Sequence, residues 1–127
     1  MPVRDSEPVS SPDRSPEAVR AYVDALDPDG RALFDRFTAL VLTEYPDATV
    51  TWAYKMPTFV VGEQRLHVGV WKHGLSLYGW DADRSGGFCD RYPHLCGDRG
   101  TLKLPHREMA QIPDEHLRDL VRATFAP

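Results

Sequence analysis

The hydrophobic pattern of this chain changes its period at Pro46, and this change restricts the possible fold more than any other feature. Between Pro28 and Pro46 the large apolar residues recur at three-and-four spacing, which is typical of one helix face. After Pro46 apolar and polar residues alternate, which is typical of strands with one buried face. The helical set is Leu33, Phe34, Phe37, Leu40 and Val41, and the first alternating set is Val50, Trp52 and Tyr54. The pattern therefore predicts helices followed by a sheet.

Proline residues mark the expected helix boundaries. Ser15-Pro16 predicts the start of a short helix, with a hydroxyl cap followed by proline at the first helical position. Asp27-Pro28 repeats this arrangement, and the longer helix that follows is expected to stop near Tyr45-Pro46. Pro113 opens a final helix, whose apolar face is expected to consist of Leu117, Leu120, Val121 and Phe125.

Five strands are predicted between these helical ends. Turns are expected at Met56-Pro57, at 62–65 and at 72–74, and a last strand is expected at 101–104. The stretch 81–100 is irregular, with one helical turn near 88–92. Short connections between successive strands imply antiparallel pairing. The predicted fold class is α+β: a two-layer sandwich in which a five-stranded antiparallel sheet is covered on one face by helices from both ends of the chain.

Composition restricts the class of protein. With 127 residues the chain suits a single domain, predicted to span 15–127, whereas residues 1–14 combine Pro, Ser and charges and predict a disordered tail. No apolar run approaches the roughly 20 residues that cross a bilayer, and no signal peptide is recognisable. A net charge of −4 argues against binding nucleic acid. We therefore expect a cytoplasmic protein that contacts neither membrane nor nucleic acid.

Strand alternation also predicts which residues the helices leave uncovered. If the large aliphatic side chains point towards the helices, the opposite face carries small residues near its middle, forming a shallow concavity with aromatic and cationic side chains around it. Such a surface suits a small anionic or planar ligand. The predicted ligand-binding residues are Lys55, His67, Trp71, Tyr78, Trp80 and Lys103. A solvated face, or one that binds a partner or a second copy of the chain, is the alternative interpretation.

The lysines support this choice of residues. The chain contains twelve arginines and three lysines, and all three lysines fall in its strand-forming part. A position that keeps Lys in an arginine-rich chain can require a compact ammonium rather than a planar guanidinium. Lys55 and Lys103 are expected on the uncovered face, and Lys72 in a turn.

Metal and disulfide chemistry have weaker support. Cys89 and Cys96 flank His94 in a spacing unlike the usual zinc patterns, so two thiols without a bond are expected, with zinc or a disulfide as alternatives. The segment 81–88 resembles the first half of a calcium loop, but Tyr92 stands where the bidentate Glu is required. No nucleophile, phosphate-loop or dinucleotide motif is present, so binding rather than catalysis is expected.

Five short motifs follow one another along the chain. They read LTEYPDA at 42–48, YKMPTF at 54–59, KHGLSLY at 72–78, GTLKLP at 100–105 and IPDEHL at 112–117. Their order resembles the YdhG-like family, domain of unknown function 1801, over about residues 16–125. The resemblance implies a frataxin-like arrangement. Because some members are described as intracellular iron chaperones that use acidic helix residues, it also implies iron as a possible cofactor. The stretch 81–100, with its glycines and cysteines, departs from the family pattern.

Overall fold

A computed structural model describes residues 15–78, 87–96 and 101–126. The helices are α1 (Ser15–Asp24), α2 (Pro28–Glu44), α3 (Phe88–Arg91), α4 (His106–Gln111) and α5 (Asp114–Phe125), with a 3₁₀ turn at Pro93–Leu95. The strands are β1 (Thr49–Ala53), β2 (Met56–Val61), β3 (Gln64–Trp71), β4 (Gly74–Tyr78) and β5 (Thr101–Pro105). The predicted tail at 1–14, Trp80 and the calcium-like residues 81–86 lie outside the described ranges.

The strands form one antiparallel sheet in the order β1-β2-β3-β4-β5, as the alternating pattern predicts. The first turn is displaced from the expected position. Tyr54 and Lys55 form the β1–β2 turn and Ala53 pairs with Met56, so Met56 and Pro57 belong to β2. Tyr54 and Lys55 both have positive φ, 53° and 62°. Two-residue hairpins need this backbone, and Asn-Gly usually supplies it, so Tyr-Lys does not reveal the turn in the sequence.

The core lies between the helices and one sheet face. The aliphatic residues predicted to face the helices do so, because Leu66, Val68, Leu75 and Leu77 are buried in one cluster with Phe37. The cluster also includes Phe59, Leu102, Leu104, Met109, Leu117, Leu120, Val121 and Phe125. The sheet face opposite the helices is called the open face below.

The start of α2 forms as its sequence predicts. The Asp27 carboxylate accepts a hydrogen bond of 2.8 Å from the Gly30 amide, and Pro28 occupies the first turn. A Cβ at Gly30 would lie 3.0 Å from Val70 Cγ1. Glycine therefore allows the first turn of α2 to approach β3 closely.

One arginine joins the N-terminal and C-terminal helices. Arg36 on α2 donates hydrogen bonds of 2.6 Å to the Met109 carbonyl and 2.7 Å to the Ile112 carbonyl, and it pairs with Asp114 at 2.7 Å. It thus satisfies acceptors at the end of α4 and an acid at the start of α5. The helix α4 was not predicted, because only Met109 among its residues is buried and no period is visible.

The cysteines contradict the expectation of two thiols, because Cys89 and Cys96 form a disulfide. The helical turn α3 and the 3₁₀ turn bring their Cα atoms to 5.8 Å, a separation that a disulfide can span. The Cys96 backbone also bridges to Leu102 on the outer side of β5. The disulfide segment therefore covers part of one sheet edge.

Candidate functional site

The strand register places the predicted ligand residues in rows across the open face. One row runs from Thr51 on β1 through Thr58, His67 and Tyr78 to Thr101 on β5. A second row runs from Gly69 on β3 through Ser76 to Lys103, and Ala53 pairs with Met56 at the end of the β1–β2 hairpin, beyond the last β2–β3 pair. His67 and Tyr78 are direct neighbours, and Lys103 lies two strands from Gly69.

Charge is distributed unevenly between the two layers. None of the five strands contains an Asp or a Glu, whereas Arg65 and Lys103 occupy exposed open-face positions. The carboxylates of the described residues lie on helices or in connecting segments, among them Glu63 in the β2–β3 turn. The strand positions of the open face therefore carry positive side chains and no negative ones, in a chain whose net charge is −4.

A hydrogen-bonded imidazole lies near the middle of this face. Thr58 Oγ1 is 2.7 Å from His67 Nδ1, and the imidazole tautomer decides which atom donates. The Tyr54 ring meets the imidazole edge to face at 4.9 Å. Burial, with repulsion from Arg65, holds the pKa of His67 below its usual value. His67 is therefore a neutral hydrogen-bonding group at neutral pH.

The expected concavity is largely filled by aromatic side chains. A Cβ at Gly69 would lie 2.9 Å from Trp71 Nε1, so the indole rests directly on this glycine. Ser76 is 1% exposed and Thr58 is 0% exposed, although both face away from the helices. Tyr54 lies in the β1–β2 turn and reaches His67 on β3, so its ring crosses β2 near Thr58. The accessible parts of the face are the aromatic and cationic side chains.

The structure brings together four of the six predicted residues: His67, Trp71, Tyr78 and Lys103 occupy open-face positions. Lys55 does not lie on a strand, contrary to the alternation argument, because the hairpin turns at Tyr54-Lys55. Lys72 lies in the β3–β4 turn, as expected.

Sequence reasoning missed Tyr54, Thr58 and Arg65 as components of this face. The β1–β2 turn lies at Tyr54-Lys55 and not at Met56-Pro57, which changes the positions of Tyr54 and Thr58. The β2–β3 turn is shorter than the expected 62–65, which places Arg65 in β3 opposite Val60. With the turn at Met56-Pro57, the strand parity of Thr58 could not be assigned.

The acidic helix residues that the family resemblance associates with iron are mostly engaged by arginines. Asp24 and Asp35 flank Arg31, Asp114 pairs with Arg36, and Glu44 and Asp119 both contact Arg122. Within residues 15–78, 87–96 and 101–126, no three His, Cys, Asp or Glu side chains gather closely enough to hold a metal ion. Iron binding stays a prediction of the resemblance.

Comparisons with known proteins assign neither a family nor a function to this chain. No protein family, curated protein or solved structure matched this chain. The likeness to the YdhG-like family therefore remains a prediction. None of the helices in the described ranges combines the length and apolar character needed to cross a bilayer.

Proposed function

We propose that this protein binds a small anionic ligand with a planar group on its open face. The observation that carries the proposal is the absence of carboxylates from all five strands, beside Arg65 and Lys103 on the open face. An anion approaching this face meets Arg65 and Lys103, and no strand residue contributes a negative charge that would repel it. The chain as a whole has a net charge of −4, so the charge at these two positions is opposite in sign to that of the protein.

The aromatic side chains supply the planar part of the recognition. Trp71 is 49% exposed and lies on Gly69, so its indole can offer a surface for a second ring. His67 is neutral and adds hydrogen bonding at the centre of the face. Lys103 adds a flexible cation beside Ser76.

Binding is favoured over catalysis by the burial of the hydroxyl groups. Ser76 and Thr58 are the open-face hydroxyls nearest to His73 and His67, yet both are almost completely buried. A nucleophile has to reach its substrate, and these two are shielded. The proposal therefore assigns a ligand and no reaction.

A thermal-shift screen with aromatic carboxylates and aryl phosphates tests the proposal. At least one compound should raise the melting temperature of the wild-type protein, and Lys103→Met should remove most of that increase. Arg20→Met is the matched control, because it removes an exposed cation from α1 on the helical layer. The proposal fails if no compound raises the melting temperature of the wild type. It also fails if Lys103→Met, like the control Arg20→Met, keeps the full wild-type increase.

A partner surface is the second candidate, favoured by the exposure of aromatic side chains. Tyr54 is 79% exposed and lies on the same face as Trp71. Aromatic patches of this kind also occur where proteins associate. Sedimentation velocity over a range of concentrations tests for self-association, which Trp71→Lys should abolish if the open face is the contact.

A cytoplasmic location remains part of the proposal and has one observation against it. Disulfides such as Cys89–Cys96 are rare in cytosolic proteins, where thiols are kept reduced. Alkylation of thiols in freshly lysed cells, followed by mass spectrometry, shows which form is present. A fully oxidised pair would argue against the cytoplasm.

A further inference from the structure

A cavity separate from the open face lies where two helices end above the β2–β3 turn. Its volume is about 510 Å³, within the range of small-molecule sites. Its lining residues are Tyr45, Val61, Gly62, Glu63, Gln64 and Phe125. We call this space the end cavity.

Two aromatic rings form one wall of the end cavity. Tyr45 and Phe125 meet edge to face, with ring centroids 5.7 Å apart. The Tyr45 hydroxyl donates a hydrogen bond of 3.1 Å to the Arg122 carbonyl, which fixes the orientation of the phenol ring. Phe125 is buried and forms the floor, while Tyr45 is only half-buried. The wall is therefore apolar and already ordered.

The electrostatic environment of the end cavity is negative. Among the lining residues that the structure describes, Glu63 alone is charged, and it is exposed. Tyr45 directly follows the last residue of α2 and Phe125 is the last residue of α5, so two helices direct their C-terminal ends to this region. Helix C-termini carry partial negative charge.

The nearby arginine does not reverse this sign. Arg122 is in contact with two carboxylates, those of Glu44 and Asp119. Its positive charge is therefore matched on the helix surface, and Glu63 in the lining is not part of that network.

We propose that the end cavity binds a small organic ammonium ion carrying alkyl groups. The alkyl groups would contact Tyr45 and Val61, and the positive charge would face Glu63 and the helix ends. A hard metal ion would need several oxygen ligands, whereas the described part of the lining contains a single carboxylate, that of Glu63. An anion would meet repulsion from Glu63. This inference does not depend on the proposed function of the open face.

A matched pair of probes isolates the contribution of charge. Choline and 3,3-dimethylbutan-1-ol have nearly the same shape, but only choline is charged. In titrations followed by amide resonances, choline should shift Gly62, Glu63 and Gln64 and bind at least about threefold more tightly than the alcohol. Resonances of His67, Gly69 and Lys103 should stay unchanged, which separates this site from the open face.

Variants complete the test. Glu63→Gln, at an exposed turn position, should reduce the preference for choline to less than about twofold. Glu115→Gln removes an exposed acid from the opposite end of α5 and should leave the preference intact. Equal binding of the two probes to the wild type would overturn the proposal. So would the absence of choline binding at tens of millimolar, or an unchanged preference in Glu63→Gln.

Discussion

The Tyr22 hydroxyl takes the place of a β2 partner for Val70, whose neighbour on the other side is Leu75 of β4. It accepts a hydrogen bond of 2.9 Å from the Val70 amide and donates one of 3.4 Å to the Val70 carbonyl. The pairing of β2 with β3 ends at Thr58 and His67. The β2 residue before Thr58 is Pro57, which has no amide hydrogen to donate to β3. Helix α1 thus supplies a hydrogen-bond partner to β3 beyond the point where β2 stops pairing.

Tyr22→Phe should destabilise the protein by about 1 kcal/mol, because the partly buried Val70 amide and carbonyl lose their partner. Urea unfolding followed by fluorescence measures the change. Tyr54→Phe is the control, since it removes an exposed hydroxyl and should have almost no effect. Equal effects of the two substitutions would contradict the role assigned to Tyr22.

Lys55→Gly should stabilise the fold by about 0.5 kcal/mol, because a non-glycine residue at φ 62° is strained and glycine is not. Lys72→Gly, in a turn without positive φ at that residue, should give no gain. Thermal unfolding of both variants provides the comparison. If Lys55→Gly proves less stable than the wild type, the Lys55 side chain contributes more than the strain costs.

Reduction of the Cys89–Cys96 disulfide should cost about 2 kcal/mol, the value expected for a short loop. Melting curves with and without a phosphine reductant measure the loss. The double variant Cys89→Ala/Cys96→Ala should melt at the lower temperature whether or not the reductant is present. If the melting temperature of the wild type is the same with and without the reductant, the disulfide adds no stability.

Acid should weaken the fold partly through His67. Its pKa is lowered in the folded protein, so below the usual value of 6.5 the unfolded chain takes up the proton first. Stability is therefore complete above that pH and decreases as the pH falls through the folded-state pKa. His67→Asn should reduce this decrease between pH 8 and pH 5, measured by urea unfolding. The other histidines are present in both the wild type and His67→Asn. If stability depends on pH in the same way in these two proteins, His67 does not contribute to the acid weakening.

Features that are set by residues close together in the sequence could be predicted, whereas features that are set by contacts between distant segments could not. Asp27-Pro28 and the alternation through Leu66, Val68 and Val70 act locally, and the structure confirms both. The Tyr54-Lys55 turn was missed because its residues lack the usual preference for positive φ, and the register of the whole sheet selects it. The disulfide was missed because spacing alone does not show that α3 and the 3₁₀ turn bring Cys89 to Cys96.

The filled concavity has a similar explanation. Alternation correctly placed Gly69 on the open face, but it carried no information about where the Trp71 indole would rest. That position is decided by side-chain packing across the strands, which a pattern of period two does not encode.

The separation of carboxylates from the strands gives the described part of the molecule a charge asymmetry that the net charge of −4 does not reveal. An anion at a distance feels the net negative charge, but within about 10 Å at ordinary salt it feels mainly the nearer layer. Anions that approach from the sheet side would therefore be steered and those from the helical side repelled, so the rate of capture should fall as salt is added.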